Sequence, residues 1–399
     1  MKQIFRTIFF LVLLFSQQPI SAQNSADSID WKQQVTLQID SLLRDTFFNV
    51  TQVAVYVHDL DADVPVYAYN HRQLMRPAST EKIITAVAAL DKLGVDYTLK
   101  TALYYSGSIR GKSLIGDLYC VGGTDPMFGA SDMKAFAESV KKAGIDSIQG
   151  NVFEDRSMKE TALFGSGWCW DDDNPEISPL LFNRKDVFVQ RFLQELRQAG
   201  VVVKGVTADK RCPNTAKLLC TRSHTIDQVM HRMMKESDNL HAEALFYQIA
   251  ASTGNRPATA RHARSAINQM IHSVGLNPNN YRISDGSGLS LYNYVTAELE
   301  ALVLRYAYQH REIYQHLLPT LPIAGVDGTL HNRMKGETTC GKVSAKTGSV
   351  TGVFSLAGYC TGANGHRLSF AIINQGVLNK KKARAFQDDV CTILCAPQK

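Results

Sequence analysis

A short polar segment, Ser79-Thr80-Glu81-Lys82, stands directly before a strongly apolar run and limits how this part of the chain can fold. Pro77 disfavours a helical conformation at Arg76, and the run 83–90 is rich in Ile, Ala and Val. This pattern predicts a buried helix that begins near Ser79. Ser79 and Lys82 then share one face, so the lysine amine can take the proton that a serine loses when it becomes a nucleophile.

The same spacing of serine and lysine occurs twice more, at Ser131–Lys134 and Ser139–Lys142. Both copies fall on a predicted surface helix around 133–143, which Gly144 follows. A serine at a helix start with a lysine three residues on is usually a cap and a surface charge. We therefore expect solvated lysines and no catalysis at these two copies, and the first copy needs support from elsewhere in the chain.

The N-terminus has the features of an export signal. Lys2 and Arg6 precede an apolar run, 8–15, and the small residues Ser21-Ala22 mark a cleavage point. We predict a cleaved signal peptide over 1–22, no stable membrane anchor after cleavage, and a secreted protein that is periplasmic in a bacterial cell. The formal net charge of +6 is too mild to suggest a nucleic-acid partner.

The order of predicted strands and helices indicates a mixed α/β (α+β) fold. Strand patterns occur near both ends of the chain, and helical periodicity dominates between about 226 and 318. This arrangement predicts one antiparallel sheet, flanked by helices, that is assembled from the two termini. We expect 23–98 and 223–399 to form this discontinuous domain and 99–222 to form a smaller inserted domain.

All eight cysteines follow the predicted signal peptide, so they would lie in an oxidising compartment. Two local pairings are plausible from spacing, Cys212 with Cys220 and Cys340 with Cys360, and buried free thiols are an equally good interpretation. Cys391 and Cys395 suggest no zinc site, because two further ligands at suitable spacing are not evident. The disulfide connectivity stays open at this point.

Two further motifs join the first. Ser237-Asp238-Asn239 falls in a predicted helical stretch, 233–245, and Lys346-Thr347-Gly348-Ser349 closes a predicted strand. In this order the three motifs resemble those of penicillin-binding proteins and serine β-lactamases. The flanking segments 76–79, 235–243, 284–290 and 321–330 are similar to the D-alanyl-D-alanine carboxypeptidase/endopeptidase family of low-molecular-mass penicillin-binding proteins. The resemblance implies a β-lactamase/transpeptidase-like domain with an inserted smaller domain.

The resemblance also implies roles for the residues of the three motifs. Ser79 would attack the carbonyl between two D-alanines, Lys82 would act as its base, and Ser237 would relay a proton to the departing amine. The expected substrate-binding residues are Asn239, Lys346, Thr347, Gly348 and Ser349. The backbone N–H groups of Ser79 and Ser349 would form the oxyanion hole. No cofactor and no metal are expected.

A lysine base has to be neutral near pH 7. Lowering a lysine pKa from about 10.4 to near 7 costs about 4–5 kcal/mol. A helix N-terminus supplies at most about 2 kcal/mol of that. A second cation and some desolvation are therefore needed, and Lys346 is the expected cation.

The expected partners are peptidoglycan stem peptides as substrate and β-lactam antibiotics as covalent inhibitors. Carboxypeptidase action is expected, with endopeptidase action on cross-links left open, as are the preferred third residue of the stem peptide and the oligomeric state. Two alternatives remain: a serine β-lactamase, and a non-catalytic peptidoglycan-binding or β-lactam-sensing protein. A Ser-His-Asp triad is a weaker alternative. The loop 284–290 is expected to shape the site, and the cluster Trp168–Asp173 to form a rim of the insertion or to contact glycan or peptide.

Overall fold

The computed structural model describes residues 30–172 and 174–396, so the predicted signal peptide and Asp173 lie outside the described residues. The helices are α1 (Trp31–Leu42), α2 (Glu81–Leu93), α3 (Ala130–Lys142), α4 (Phe188–Gln198), α5 (Ile226–Lys235), α6 (Asn239–Ala251), α7 (Ala260–Ser273), α8 (Ala297–Gln309), α9 (Arg311–Leu317) and α10 (Lys380–Cys395). Within the described ranges, no helix is both long enough and apolar enough to cross a membrane.

The strands form three sheets. The strands are β1 (Gln52–Asp59), β2 (Val64–Tyr69), β3 (Thr98–Tyr105), β4 (Ser108–Arg110), β5 (Ser113–Ile115), β6 (Leu118–Val121), β7 (Ser147–Ile148), β8 (Val152–Asp155), β9 (Val202–Val203), β10 (Thr207–Asp209), β11 (Lys217–Thr225), β12 (Val343–Val350), β13 (Val353–Thr361) and β14 (Arg367–Gln375). The first sheet has the order β12-β13-β14-β1-β2 and is antiparallel throughout. Because β14 lies beside β1, the two ends of the chain meet in one sheet, as the strand pattern predicted.

Both faces of this sheet are covered by helices. Leu356, Phe370 and Ile372 pack on the side of α1 and α10, whereas Tyr359 and Ile373 pack on the side of α2, α6 and α8. Side chains alternate between the faces of a strand, so a strand buried on both faces reads as a continuous apolar run. β13 shows this pattern, since its residues from Val353 to Cys360 are all buried. The predicted mixed fold with a helix-flanked antiparallel sheet is confirmed.

The segment between β3 and β11 has sheets and a core of its own. It contains a five-stranded sheet, β10-β8-β6-β3-β11, and a four-stranded sheet, β4-β5-β7-β9. The aromatic rings of Phe128, Phe136, Phe188 and Phe192 form the centre of its core with α3 and α4. Thr98 pairs with Thr225, so the chain leaves the first sheet's domain and returns to it at one point. This pairing supports the proposal that 99–222 form an inserted domain.

Neither of the two possible cysteine pairings is formed, and all eight cysteines are free thiols, the interpretation that the sequence left equally open. The β12–β13 hairpin pairs Val350 with Val353, and this register places Cys360 opposite Val343 rather than opposite Cys340. Cys212 lies before β11, where its backbone N–H donates to Asp155, while Cys220 is on the strand itself. Hairpin register depends on the turn, and the motif spacing did not reveal it.

Candidate active site

The nucleophile candidate lies in a tight turn rather than in the α-helix. Ser79 is the central residue of a 3-10 turn, Ala78–Thr80, and α2 begins only at Glu81. Ala78 has φ +51°, a left-handed conformation that is uncommon for a residue with a side chain. The Thr80 hydroxyl donates to the Pro77 carbonyl at 2.8 Å and holds the turn closed. The turn leaves the Ser79 side chain half-buried, one helical turn from Lys82.

Lys82 is fully buried and its amine has three oxygen neighbours. Its Nζ lies 2.9 Å from Ser79 Oγ, 2.8 Å from Asn239 Oδ1 and 2.7 Å from the Ser287 carbonyl oxygen. The amide and carbonyl oxygens can only accept, so each takes one N–H of the amine. A neutral amine has two N–H groups and one lone pair, and in that state the lone pair faces the Ser79 hydroxyl. The three contacts therefore suit a neutral Lys82 that accepts the proton of the Ser79 hydroxyl.

The electrostatic surroundings favour this neutral state. Burial lowers the pKa of Lys82 to about 8, although the nearby carboxylates of Asp285 and Glu243 act to raise it. Burial, and then the charge of Lys82, hold the pKa of Lys346 well below its usual range. The sequence predicted that desolvation and a second cation, Lys346, would act together on Lys82. Removal of the amine from water is the largest cause of the lowered pKa of Lys82.

Ser237, Asp238 and Asn239 lie in a break between two helices, not inside one helix as expected. α5 ends at Lys235 and α6 begins at Asn239, and Ser237 adopts φ +60° between them. Asp238 caps α6 by accepting the N–H of His241 at 3.2 Å. The break directs the Asn239 amide to Lys82 and the Ser237 hydroxyl to Lys346, whose Nζ donates to Ser237 Oγ at 2.8 Å.

The third motif lies on β12, an edge strand of the first sheet. Gly348 passes so close to the nucleophile turn that a Cβ there would overlap Ser355 Oγ and come within 3.0 Å of the Ser79 nitrogen. The Ala345 N–H donates to Pro322, away from β13. N–H groups alternate along a strand, so the Ser349 N–H points to the same open edge. The backbone N–H groups of Ser349 and Ser79 can therefore both donate to one bound carbonyl oxygen.

The flanking segments of the motifs hold the cleft together. Lys235 Nζ lies 2.6 Å from Asp327 Oδ2 and donates to the Leu321 carbonyl, which ties α5 to the loop 321–330. The hydroxyls of Thr329 and Thr347 are 2.8 Å apart, which ties that loop to β12. A groove of about 900 Å³ opens beside Ser237–Leu240 and is bordered by 174–176 and 183–187. The groove thus adjoins the second motif, whose Ser237 and Asn239 contact Lys346 and Lys82.

The loop 284–290 supplies contacts that the sequence did not identify. Asp285 accepts the N–H groups of Gly288 at 2.9 Å and Ser290 at 2.7 Å, and also the Trp168 Nε1–H at 2.7 Å. These bonds fix the loop so that the Ser287 carbonyl reaches Lys82. A serine- and glycine-rich loop with one aspartate signals a structured turn, but no pattern tells which of its carbonyls contacts the base. Trp170, in the predicted rim cluster, is 94% exposed.

Metal ligation has little support at this cleft, which is lined by amines, hydroxyls and an amide. Among the described residues, Asp59, Asp61 and His366 could each offer one ligand atom within 4.8 Å of one another. Asp59 ends β1 and Asp61 lies in the β1–β2 turn, whereas His366 directly precedes β14. His366 Nδ1 already bonds Asp59 at 2.7 Å. The trio is explained by this ion pair.

Comparison with known proteins identifies the family. The model of the D-Ala-D-Ala carboxypeptidase 3 (S13) family matches residues 35–180 and 176–396, which is most of the chain. The chain belongs to the S13 family. This membership confirms the resemblance inferred from the three motifs and their flanks.

Relatives within the S13 family match over most of their length. The D-alanyl-D-alanine carboxypeptidase DacB of Haemophilus influenzae is 27% identical over 406 residues, covering 79% of this chain and 85% of the relative. The D-alanyl-D-alanine carboxypeptidase of Actinomadura sp. is 26% identical over 435 residues, covering 85% and 80%. The protein is thus a serine peptidase of the S13 type.

Solved structures agree with the fold. The crystal structure of penicillin binding protein 4 (dacB) from Haemophilus influenzae superposes with a TM-score of 0.80 at 24% identity, covering 89% of this chain and 97% of that one. The same protein complexed with a β-lactam gives a TM-score of 0.74 at 25% identity, covering 88% and 98%. These matches confirm the expected transpeptidase-like fold of an S13 peptidase.

Proposed function

We propose that the protein is a serine-type D-Ala-D-Ala carboxypeptidase that shortens peptidoglycan stem peptides through an acyl-enzyme on Ser79. The observation that carries this proposal is the buried Lys82 amine, 2.9 Å from Ser79 Oγ with two acceptor oxygens on its other sides. Family membership and relatives named D-alanyl-D-alanine carboxypeptidase support the choice of substrate.

Acylation begins when Ser79 Oγ attacks the carbonyl between the two D-alanines while its proton passes to Lys82. The tetrahedral oxyanion is held by the N–H groups of Ser79 and Ser349, and one such donor typically contributes about 3 kcal/mol. Gly348 makes this possible, because any side chain there would push β12 away from the nucleophile turn. The Asn239 amide holds both Lys82 and the peptide.

Departure of the terminal D-alanine needs a proton on its nitrogen. Ser237 relays it: its hydroxyl gives its proton to the leaving nitrogen and takes one from the charged Lys346 amine, whose Nζ lies 2.8 Å from Ser237 Oγ. Lys346, Thr347 and Ser349 bind the terminal carboxylate by charge-assisted hydrogen bonds. A bound carboxylate also favours the charged form of Lys346, which counteracts its burial. Water then hydrolyses the Ser79 ester and frees the shortened peptide.

β-Lactams follow the same first step, and the acyl-enzyme that they form on Ser79 is expected to be long-lived. The β-lactam complex of the Haemophilus influenzae relative supports inhibition of this kind. We also propose that 1–22 are a cleaved signal peptide, that the mature protein is secreted or periplasmic, and that 23–98 and 223–399 form the catalytic domain.

Mass spectrometry of purified muropeptides tests the proposal. Pentapeptide stems incubated with the protein are expected to lose one D-alanine, and loss of cross-linked dimers would add endopeptidase action. Benzylpenicillin should form a long-lived adduct on Ser79. Intact pentapeptides together with rapid penicillin turnover would instead show a β-lactamase, and binding without any acylation would show a non-catalytic wall protein.

A further inference from the structure

A buried carboxyl group, Glu243 on α6, lies behind the catalytic cleft and has no part in the mechanism above. Only 1% of its surface is exposed. Its Oε1 accepts the N–H of Gly286 at 3.1 Å, and its carboxyl also bonds the side chain of Ser287. Gly286 and Ser287 belong to the loop whose Ser287 carbonyl contacts Lys82 at 2.7 Å. Glu243 therefore supports the loop that holds the base.

Glu243 also borders a second space. A cavity of about 560 Å³ lies beneath the loop 164–166, and Glu243 and Asp285 line it together with Tyr247 and Arg264. This volume holds many water molecules. None of the residues of the three motifs lines this cavity, so Glu243 lies between the cavity and the loop that contacts Lys82.

Several charged groups surround this carboxyl. They are Lys82 and Glu81 from α2, Asp285 from the loop, Lys159 from the inserted segment, and Glu160, Arg264 and Tyr247 around the cavity. Burial, and next the charge of Asp285, raise the pKa of Glu243 to about 8. Glu243 is then mainly uncharged at neutral pH and titrates in the same range as Lys82.

We propose that Glu243, through its bonds to the loop 286–287, is a positioning residue whose uncharged carboxyl leaves Lys82 in the neutral form, and whose ionisation holds the lysine proton to higher pH. The inference rests on Lys82 being the base of the proposed function. Two groups that interact this closely lose their protons in two steps that belong to the pair. As the pH rises, the first proton lost by the pair comes partly from Glu243. Lys82 is therefore fully in its active neutral form only after the second proton has left.

The test is the rate of acylation by fluorescent penicillin between pH 6 and pH 10, with the wild type, Glu243→Gln and Glu300→Gln. In a plot of acylation rate against pH, the wild-type curve should have a broad rising limb, which requires the ionisation of both Glu243 and Lys82 to be fitted. Glu243→Gln removes one of them, so its limb should fit a single ionisation with a midpoint lower by about one pH unit. Glu300 is the matched control: it is also fully buried, with a pKa raised to about 8 by burial, but its hydrogen-bond partner is Thr80 and not the Lys82 loop.

The outcomes separate the possible failures. Glu300→Gln should keep the broad wild-type limb. A Glu243→Gln limb with the wild-type midpoint and width, or a rate lowered equally at every pH, would overturn the proposal, because a merely structural role predicts that result. If Glu243→Gln does not fold, a wild-type limb that fits a single ionisation overturns it as well. A wild-type rate with no rising limb would instead contradict Lys82 as the base.

Discussion

The start of α2 and the surface of α3 carry the same spacing of serine and lysine in very different settings. Lys82 is fully buried and surrounded by three oxygens, whereas 72% of the Lys134 side chain is exposed and its nearest carboxylate is Glu138 at 4.0 Å. Ser79 lies in a turn that leaves its hydroxyl facing Lys82, whereas the Ser139 hydroxyl donates to the Phe136 carbonyl of its own helix at 2.7 Å. The spacing of serine and lysine alone therefore does not make the serine reactive.

The difference can be expressed as the amount of free base. A lysine in water has a pKa of about 10.4, so about one amine in 2,500 is neutral at pH 7. The pKa of Lys82 is lowered to about 8 by burial, which makes about one amine in ten neutral at the same pH. Burial in the core thus increases the available base by about two orders of magnitude. Four experiments test this difference between Lys82 and the lysines of α3.

The largest effect is expected for Ser79→Ala. Removal of the attacking hydroxyl should reduce acylation by fluorescent penicillin by about 10⁴-fold or more. Labelling on a gel and intact-protein mass spectrometry measure it. The control is Ser131→Ala on α3, which should label like the wild type. Undiminished labelling of the Ser79 variant would disprove its assignment as nucleophile.

Lys82→Met should have the next largest effect. The variant keeps a long apolar side chain in the buried space but removes the base, so the acylation rate should fall by about 10³-fold. Stopped-flow measurement with a chromogenic β-lactam gives this rate. Lys134→Met, the same change on α3, should stay within twofold of the wild type. Equal losses in both variants would mean that burial of Lys82 does not matter for the reaction.

The pH dependence of acylation tests the protonation state of the Lys82 amine directly. Because the neutral amine is the active form and the pKa of Lys82 is about 8, acylation should rise with pH. The rate at pH 6 should be lower than at pH 8 by more than about tenfold, along the broad limb expected when Lys82 and Glu243 titrate as a pair. Measurement of second-order rates across this range checks it. A rate independent of pH in this window would show that Lys82 is not the base.

The smallest effect concerns stability on the surface helix. Lys134→Ala should change the free energy of unfolding by less than about 0.5 kcal/mol, because an exposed ion pair at 4.0 Å contributes little. Urea denaturation followed by circular dichroism measures this difference. A loss well above 1 kcal/mol would show that the α3 lysine is more than a solvated charge.

Much of the fold could be predicted because local sequence patterns specify its helices and strands. Strand patterns near both ends of the chain predicted the first sheet, and helical periodicity between about 226 and 318 predicted α5 to α9, because these patterns depend on neighbours in the chain. The helix break at Ser237 was missed, since a left-handed serine has no local signature. The cysteine register was missed because it depends on how two strands align.

The reactive groups, their order along the chain and the family resemblance could all be read from the amino-acid sequence. Three features depend on the folded chain: which of the three serine–lysine pairs is removed from water, which carbonyl faces the lysine, and how near β12 comes to Ser79. The physical reason is that the proton affinity of an amine depends on solvent and charges within a few ångströms. At Lys82 those neighbours come from distant segments: Asn239, Ser287 and the carboxyl groups behind them.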